Sequence, residues 1–157
     1  IAGTEAATLH AYWLRHRKAD YGPPVLARIA AGLQFSGVDH LHALQLRPKI
    51  VEQFIQNAFA NCDVILAPTF NVKTPRIDET DIEDGQGFED LISAVSHCTR
   101  PFNYLTFPSI SLPTPELVNE MPAAIQLIAP PFCEKMLYCV SGAYEKHTAF
   151  SERTPKL

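Results

Sequence analysis

The chain has 157 residues, of which 46% are hydrophobic and 19% charged, and its net charge is −4. That length suits one domain, and that composition suits a packed globular core. It excludes a membrane span, which needs about 20 consecutive apolar residues, and it offers no basic stripe with interleaved aromatics of the kind a nucleic-acid binder uses.

The start, IAGTEAATLHAYW, lacks the basic region and apolar block of a signal peptide. It also lacks an initiator Met and opens directly in a helical pattern, as a piece of a longer chain would. Ala6, Leu9, His10, Trp13 and Leu14 recur at three- and four-residue spacing, which predicts one apolar helical face. Thr4 is the expected cap, with Glu5 favourable in the first turn. Tyr21-Gly22-Pro23-Pro24 breaks the pattern. A second helix is predicted over 25–33, with Pro24 in its first turn and a stop near Gly32. A third follows Ser36-Gly37, and its stripe of Leu41, Leu44, Ile50, Phe54, Ile55 and Phe59 runs as far as Asn61. Pro48 lies inside it, which predicts a kink or break.

The period then changes. DVIL at 63–66, closed by Ala67-Pro68, reads as a buried strand. A Pro/Gly/acid-rich loop is expected over 70–88. Residues 78–90 hold seven acids and no base, while the rest of the chain has 10 acids and 13 bases. That run lacks the alternation and terminal Glu of an EF-hand and reads as a solvated loop. Residues 88–98 return to helical spacing. PSISL at 108–112 and AAIQLI at 123–128 read as two strands, joined through Pro113, Pro115 and residues 119–122. From Phe132 a closing helix places Met136, Leu137, Val140 and Tyr144 on one side, and the tail after Ser151 is expected to be loose. The layout is α/β, a small mixed sheet packed by helices, mainly helical over 1–61 and α/β over 62–157. Three strands leave open edges, so strands outside the chain are expected to complete the sheet.

The cysteines, Cys62, Cys98, Cys133 and Cys139, form no CxxC and no zinc spacing. Their apolar contexts predict buried free thiols, which favours a reducing cytoplasm. Ser96-His97-Cys98 cannot act as a catalytic pair by itself, because adjacent helical residues point apart. His10/His16 and His40/His42 lack the spacing and carboxylate partner of a metal site, so no metal is expected.

One ordered set of motifs spans nearly the whole chain: Glu5-Ala6, Arg47, Asp63-Val64 with Pro68-Thr69, TRPFN at 99–103, Pro108 with Ser111-Leu112-Pro113, Pro122 with Gln126-Leu127-Ile128, and Ala143-Tyr144-Glu145. With this set the chain resembles the C-terminal third of amidase-signature enzymes, which hydrolyse or transfer amide groups. The resemblance implies the C-terminal part of that fold and a Lys, a bridging Ser and a nucleophilic Ser in a Gly/Ser-rich segment upstream of the matched region. No such segment occurs here, so no catalytic residue is assigned within the chain. Arg47 resembles the arginine that grips a substrate carboxylate in the A-type subunits of the related amidotransferases. Thr99, Phe102 and Asn103 fall in the loop that approaches the family's substrate cavity. The chain also departs from the pattern. Thr106 and Ala124 stand where glycines are usual, Thr114-Pro115 follows Pro113 where x-Gly is usual, and Ser96 stands where the amidotransferases place an Asp. Lost glycines imply altered turns near the pocket.

The expected function is therefore part of an amide hydrolase that uses no cofactor. Its expected partners are a small-molecule amide substrate and the missing N-terminal part of the enzyme. A homo-oligomer is compatible with this, and neither nucleic acid nor membrane is an expected partner. Two alternatives stand beside it: a non-catalytic binding or structural subunit derived from an amidase, and a fragment of the A-type subunit of a tRNA-dependent amidotransferase.

Overall fold

The computed structural model describes residues 1–80, 85–118 and 121–148. Acidic residues Asp81, Glu83 and Asp84, the pair Asn119-Glu120 of the expected connection, and the tail after Ser151 lie outside the described residues. The chain divides into two compact units, Ile1–Ile50 with Pro75–Ile92, and Val51–Thr74 with Ser93–Leu157.

The first unit is helical. It contains α1 (Ala2–Leu9), α2 (Ala11–His16), α3 (Pro23–Ala31), the start of α4 (Gly37–Ala58) and α5 (Ile77–Thr80), with 3-10 turns at Lys18–Asp20 and Gly32–Gln34. The single first helix expected from periodicity divides at His10, whose Nδ1 lies 2.7 Å from the Tyr21 hydroxyl. Thr4 is not a cap. The helix begins at Ala2, which places Thr4 inside it, and its hydroxyl lies 2.7 Å from the Ile1 carbonyl and 2.6 Å from His40 Nδ1. Pro24 lies in the first turn of α3 as expected, and Pro23, expected in the break, begins the helix, since neither needs an N–H partner there.

Gly32 ends that helix with an ordinary negative φ of −64°, so backbone freedom does not explain it. Close approach does. A Cβ at Gly32 would overlap the carbonyl of Gly3 and touch the Ala7 methyl. Ala7 is itself buried, so the crossing of α1 over this turn depends on a missing side chain.

Ser36 and Asp39 form a capping box at the start of α4. The Asp39 carboxylate accepts from the Ser36 hydroxyl (2.7 Å) and backbone N–H (3.0 Å), and the Asp39 N–H donates to Ser36 Oγ (3.1 Å). These bonds hold the Asp39 carboxyl below its ordinary range, the hydroxyl's contribution being the largest. Of the kink or break expected at Pro48, a break does not occur: α4 runs through it. The ring removes the N–H that would reach the Leu44 carbonyl. The boundary between the two units follows at Ile50/Val51.

The second unit is built on a three-stranded sheet in the order β1-β3-β2, with β1 at Ile65–Pro68, β2 at Ser109–Val118 and β3 at Met121–Ile128. Both pairings are antiparallel, with Ile65 and Ser109 each opposite Ile128. Helix α6 (Gly85–Val95) lies in the first unit as far as Ile92; in the second unit α7 (Arg100–Leu105) precedes β2 and α8 (Glu134–Thr148) follows β3. The strands run further than expected because Pro113 and Pro115 sit on edge strand β2, where a missing donor is tolerated. The register slips there, between Pro113 and Leu117.

Side-chain alternation gives the sheet two covered faces. On one, Ile128 packs with Leu105, Phe107 and the end of α4 (Phe54, Ile55, Phe59). On the other, Leu112, Leu127 and Ala129 pack with Leu137 of α8. Strand β1 was expected to be buried, yet Leu66 is 65% exposed. It is an edge strand with one face open. The buried stripe of α8 is Leu137 and Ser141, with Tyr144 half-buried, while Met136 and Val140 lie at its exposed margin. The cysteines also differ from expectation: all four are free, but Cys62, Cys133 and Cys139 are exposed and Cys98 is half-buried. The residues beside them are outward too: Phe132 next to Cys133, and Tyr138 and Val140 next to Cys139, are exposed, so apolar sequence context did not mark burial.

The Gly3–Gly32 crossing generates a direct test. Gly32→Ala is expected to destabilise the first unit by about 1–3 kcal/mol, the usual cost of overpacking a close contact. Gly37→Ala, where nothing lies within 4 Å, should be neutral or gain up to about 1 kcal/mol. Urea unfolding followed by α-helical circular dichroism distinguishes them, and equal midpoints for the two variants would contradict the close-contact account.

Candidate functional site

The TRPFN motif forms the start of α7. Pro101 suits its first turn. The helix is stopped by its last residues: the Phe107 N–H donates to the Phe102 carbonyl (3.1 Å) and the Thr106 N–H to the Asn103 carbonyl (3.3 Å). This is the bond pattern of a Schellman cap, which places the C′ residue in the left-handed region. Thr106 occupies that position with φ 58°. The hydrophobic contact that accompanies such a cap is also present, since Phe102 and Phe107 share one core cluster.

A second turn faces the first. The Cys133 N–H donates to the Pro130 carbonyl (3.1 Å), with Pro131 and Phe132 between them. Phe132 has φ 65°, as the third residue of a type II turn requires. Glycine is favoured there, yet the chain places a phenylalanine that is 95% exposed. Thr106 and Phe132 are the two non-glycine residues with positive φ among those described, and both line the same cleft of about 560 Å³. Strained backbone of this kind clusters at functional sites.

The α7 side of the cleft is made by Phe102, Asn103 and Phe107. The other side is made by Pro131, Phe132 and Glu134. Among the described residues, neither the Asn103 side-chain amide nor the Glu134 carboxylate has a hydrogen-bond or ion-pair partner. Asn103 therefore does not tie the local turn through its side chain. Of the lining residues only Glu134 is charged.

Gln126 fixes one side of this arrangement. It is 3% exposed, and its Nε2 donates to the carbonyls of Pro68 (3.0 Å) and Cys98 (2.8 Å). The Cys98 carbonyl lies one residue before Thr99, so the amide clamps the entry to α7 onto the centre of the sheet.

The structure brings Phe102 and Asn103 together at the cleft. Thr99 is half-buried and does not line it; its hydroxyl donates back to the Ser96 carbonyl at 3.3 Å. Phe102 also packs edge-to-face on Phe54, 6.2 Å between centroids. Arg47 lies in the first unit, half-buried on α4. Among the described residues no group of three His, Cys, Asp or Glu side chains could hold a metal ion. Sequence reasoning missed Phe132, Glu134 and the clamp by Gln126. A signal existed for Thr106, in the glycine usual at that position.

A sequence model of the family described as Amidase matches residues 3–138. The A-type subunit of the glutamyl-tRNA(Gln) amidotransferase of Symbiobacterium thermophilum is 28% identical over 160 residues, 98% of this chain and 31% of that protein. AmiD of Mycobacterium bovis, named as an amidase, is 28% identical over 151 residues, 96% of this chain and 31% of that protein. The solved structure of 6-aminohexanoate cyclic dimer hydrolase shares the fold, with a TM-score of 0.71 over 85% of this chain and 29% of that one, at 23% identity. The chain thus spans about a third of the length of the relatives it matches.

Two substitutions probe the geometry. Gln126→Leu removes the donor to the Pro68 and Cys98 carbonyls, and each lost bond costs about 0.5–1.5 kcal/mol. A clear fall in the unfolding midpoint is expected, together with faster amide exchange at the start of α7; unchanged exchange there would show that the clamp does not hold the motif. Thr106→Gly removes the Cβ penalty of the left-handed cap and should stabilise by about 1 kcal/mol. A lower melting temperature for that variant would contradict a strained Thr106.

Proposed function

The chain belongs to the amidase family, and we propose that its second unit forms one wall of the substrate pocket of an amide hydrolase. The observation that carries this reading is the cleft beside TRPFN, where two strained residues and an unengaged Asn103 amide meet. In this reading the nucleophilic Ser, the bridging Ser and the Lys of the family come from sequence outside these 157 residues, so the rest of the enzyme is the chain's first partner. Within the cleft, the Asn103 N–H donates to the substrate's amide carbonyl, and the faces of Phe102 and Phe107 exclude water from the adjoining apolar part. Hydrolysis releases ammonia or an amine and a carboxylate. Arg47, on α4, is proposed to bind a carboxylate on those substrates that carry one, because a guanidinium suits bidentate recognition. Among the described residues no helix is long and apolar enough to cross a membrane. Four free thiols suit a reducing compartment and support action in the cytoplasm.

The experiment compares the full-length protein with this chain alone on a panel of simple amides, reading ammonia release. The chain alone should give no turnover, since groups that only bind and orient cannot replace a missing nucleophile and base. In the full-length protein, Asn103→Ala should lower kcat/KM about tenfold or more for all substrates. Arg47→Ala should cost about 1.5–3 kcal/mol of transition-state binding for a carboxylate-bearing amide, and little for its neutral isostere. Turnover by the chain alone, or full activity of Asn103→Ala, would overturn the pocket-wall reading. Equal losses on both substrates would make Arg47 structural.

A further inference from the structure

We propose that the cleft in the second unit receives a cationic arm of the substrate, an alkylammonium or similar protonated amine, with Glu134 as its counter-charge and the exposed ring of Phe132 as one wall. The proposal rests on the pocket-wall reading and adds to it the charge of the group that the cleft selects.

Three observations converge on it. Glu134 is the one charged residue lining the cleft, and among the described residues its carboxylate has no hydrogen-bond or ion-pair partner. No other charged residue lines the cleft, and the N-terminus of α8 offsets its charge only in part. Second, two large rings flank it on the outside: Phe132, 95% exposed, two residues before, and Tyr138, 70% exposed, four residues after and therefore on the same side of α8. Glu134 and Tyr138 also share a smaller hollow of about 160 Å³ that includes Pro108, which lines the cleft as well. Third, Phe132 sits on a backbone with φ 65°. Glycine would relieve that strain, and a phenylalanine with almost no contacts does not repay it by core packing. An aromatic face held open beside a carboxylate is what an organic cation binds. The ring quadrupole attracts the cation, and the carboxylate supplies the opposite charge. An anionic arm would meet Glu134 repulsively, and a neutral arm would use only the rings.

The test measures binding by calorimetry on the full-length protein at pH 7, with n-hexylammonium, n-hexanol and n-hexanoate as probes of one chain length. Glu134 is exposed, so the expected preference is modest: hexylammonium about three- to tenfold tighter than hexanol, narrowing as salt is raised. Glu134→Gln should abolish the preference while leaving hexanol binding unchanged, and should lower the melting temperature only slightly, through the loss of a charge at the start of α8. Phe132→Leu should weaken hexylammonium about threefold and hexanol less. Equal binding of hexylammonium and hexanol overturns the proposal. So does tighter binding of hexanoate, a preference that survives Glu134→Gln, or no binding of any probe. The hydrolase reading is tested separately by turnover. A protein that prefers hexylammonium but hydrolyses no amide sinks that reading and keeps this one. A protein that hydrolyses amine-bearing and neutral amides alike, with equal probe binding, does the reverse.

Discussion

The carboxamide of Gln126 joins three segments that are far apart in sequence, and the site depends on it. Both hydrogens of its Nε2 are used, one on the end of β1 at Pro68 and one on Cys98 at the entry to α7. The side chain sits on the same sheet face as Ile128, which is fully buried. A polar group in that position is tolerated only when its bonds are made, and unmade bonds there cost more than made ones contribute. The clamp is therefore specific in geometry. Any movement of the TRPFN segment away from the sheet leaves a buried donor or acceptor unsatisfied. Leucine would fill the same volume but would not select the position of α7.

From that fixed start, α7 has six residues before a left-handed cap turns the chain back toward the sheet. The cap is held by packing as much as by its hydrogen bonds. Phe102 and Phe107, the two residues bonded across it, both contact Phe54, with centroids 6.2 and 5.4 Å away. Aromatic packing of this kind offsets the strain of a β-branched residue at φ 58°. The type II turn at Pro130–Cys133 has no comparable support around Phe132, whose ring is in solvent. One strained residue is thus compensated locally, and the other is not.

The first unit is organised by a different device. Its helices have exposed apolar side chains, among them Leu9, Leu33 and Val38, and they surround a hollow of about 800 Å³. α1 and the turn after α3 approach closely at Gly3 and Gly32, where a Cβ on Gly32 would overlap the Gly3 carbonyl. Segments brought that near gain dispersion contacts, but only while position 32 lacks a side chain; a Cβ at Gly3 would make an ordinary contact.

Much of the element order could be read from the sequence alone. Period and punctuation located α3, the start of α4, the β2–β3 hairpin and α8, because Pro, Gly and apolar spacing act within a few residues. The motif set from Glu5-Ala6 to Ala143-Tyr144-Glu145 indicated the family, while it took the structure to show that Phe102 and Asn103 line one cleft. The remaining features were decided by contacts between distant residues. Whether Pro48 breaks a helix, whether Leu66 is covered, and whether a cysteine faces inward depend on which partner arrives. Gln126 read only as an interruption in an apolar strand; its meaning lies 28 and 58 residues away, at Cys98 and Pro68. Phe132 carried no local sign of a left-handed backbone, since that conformation is imposed by the turn between β3 and α8. Local propensity fixed the elements, while burial and hydrogen-bond satisfaction, which act through space, decided where the cleft opens and which side chains face it.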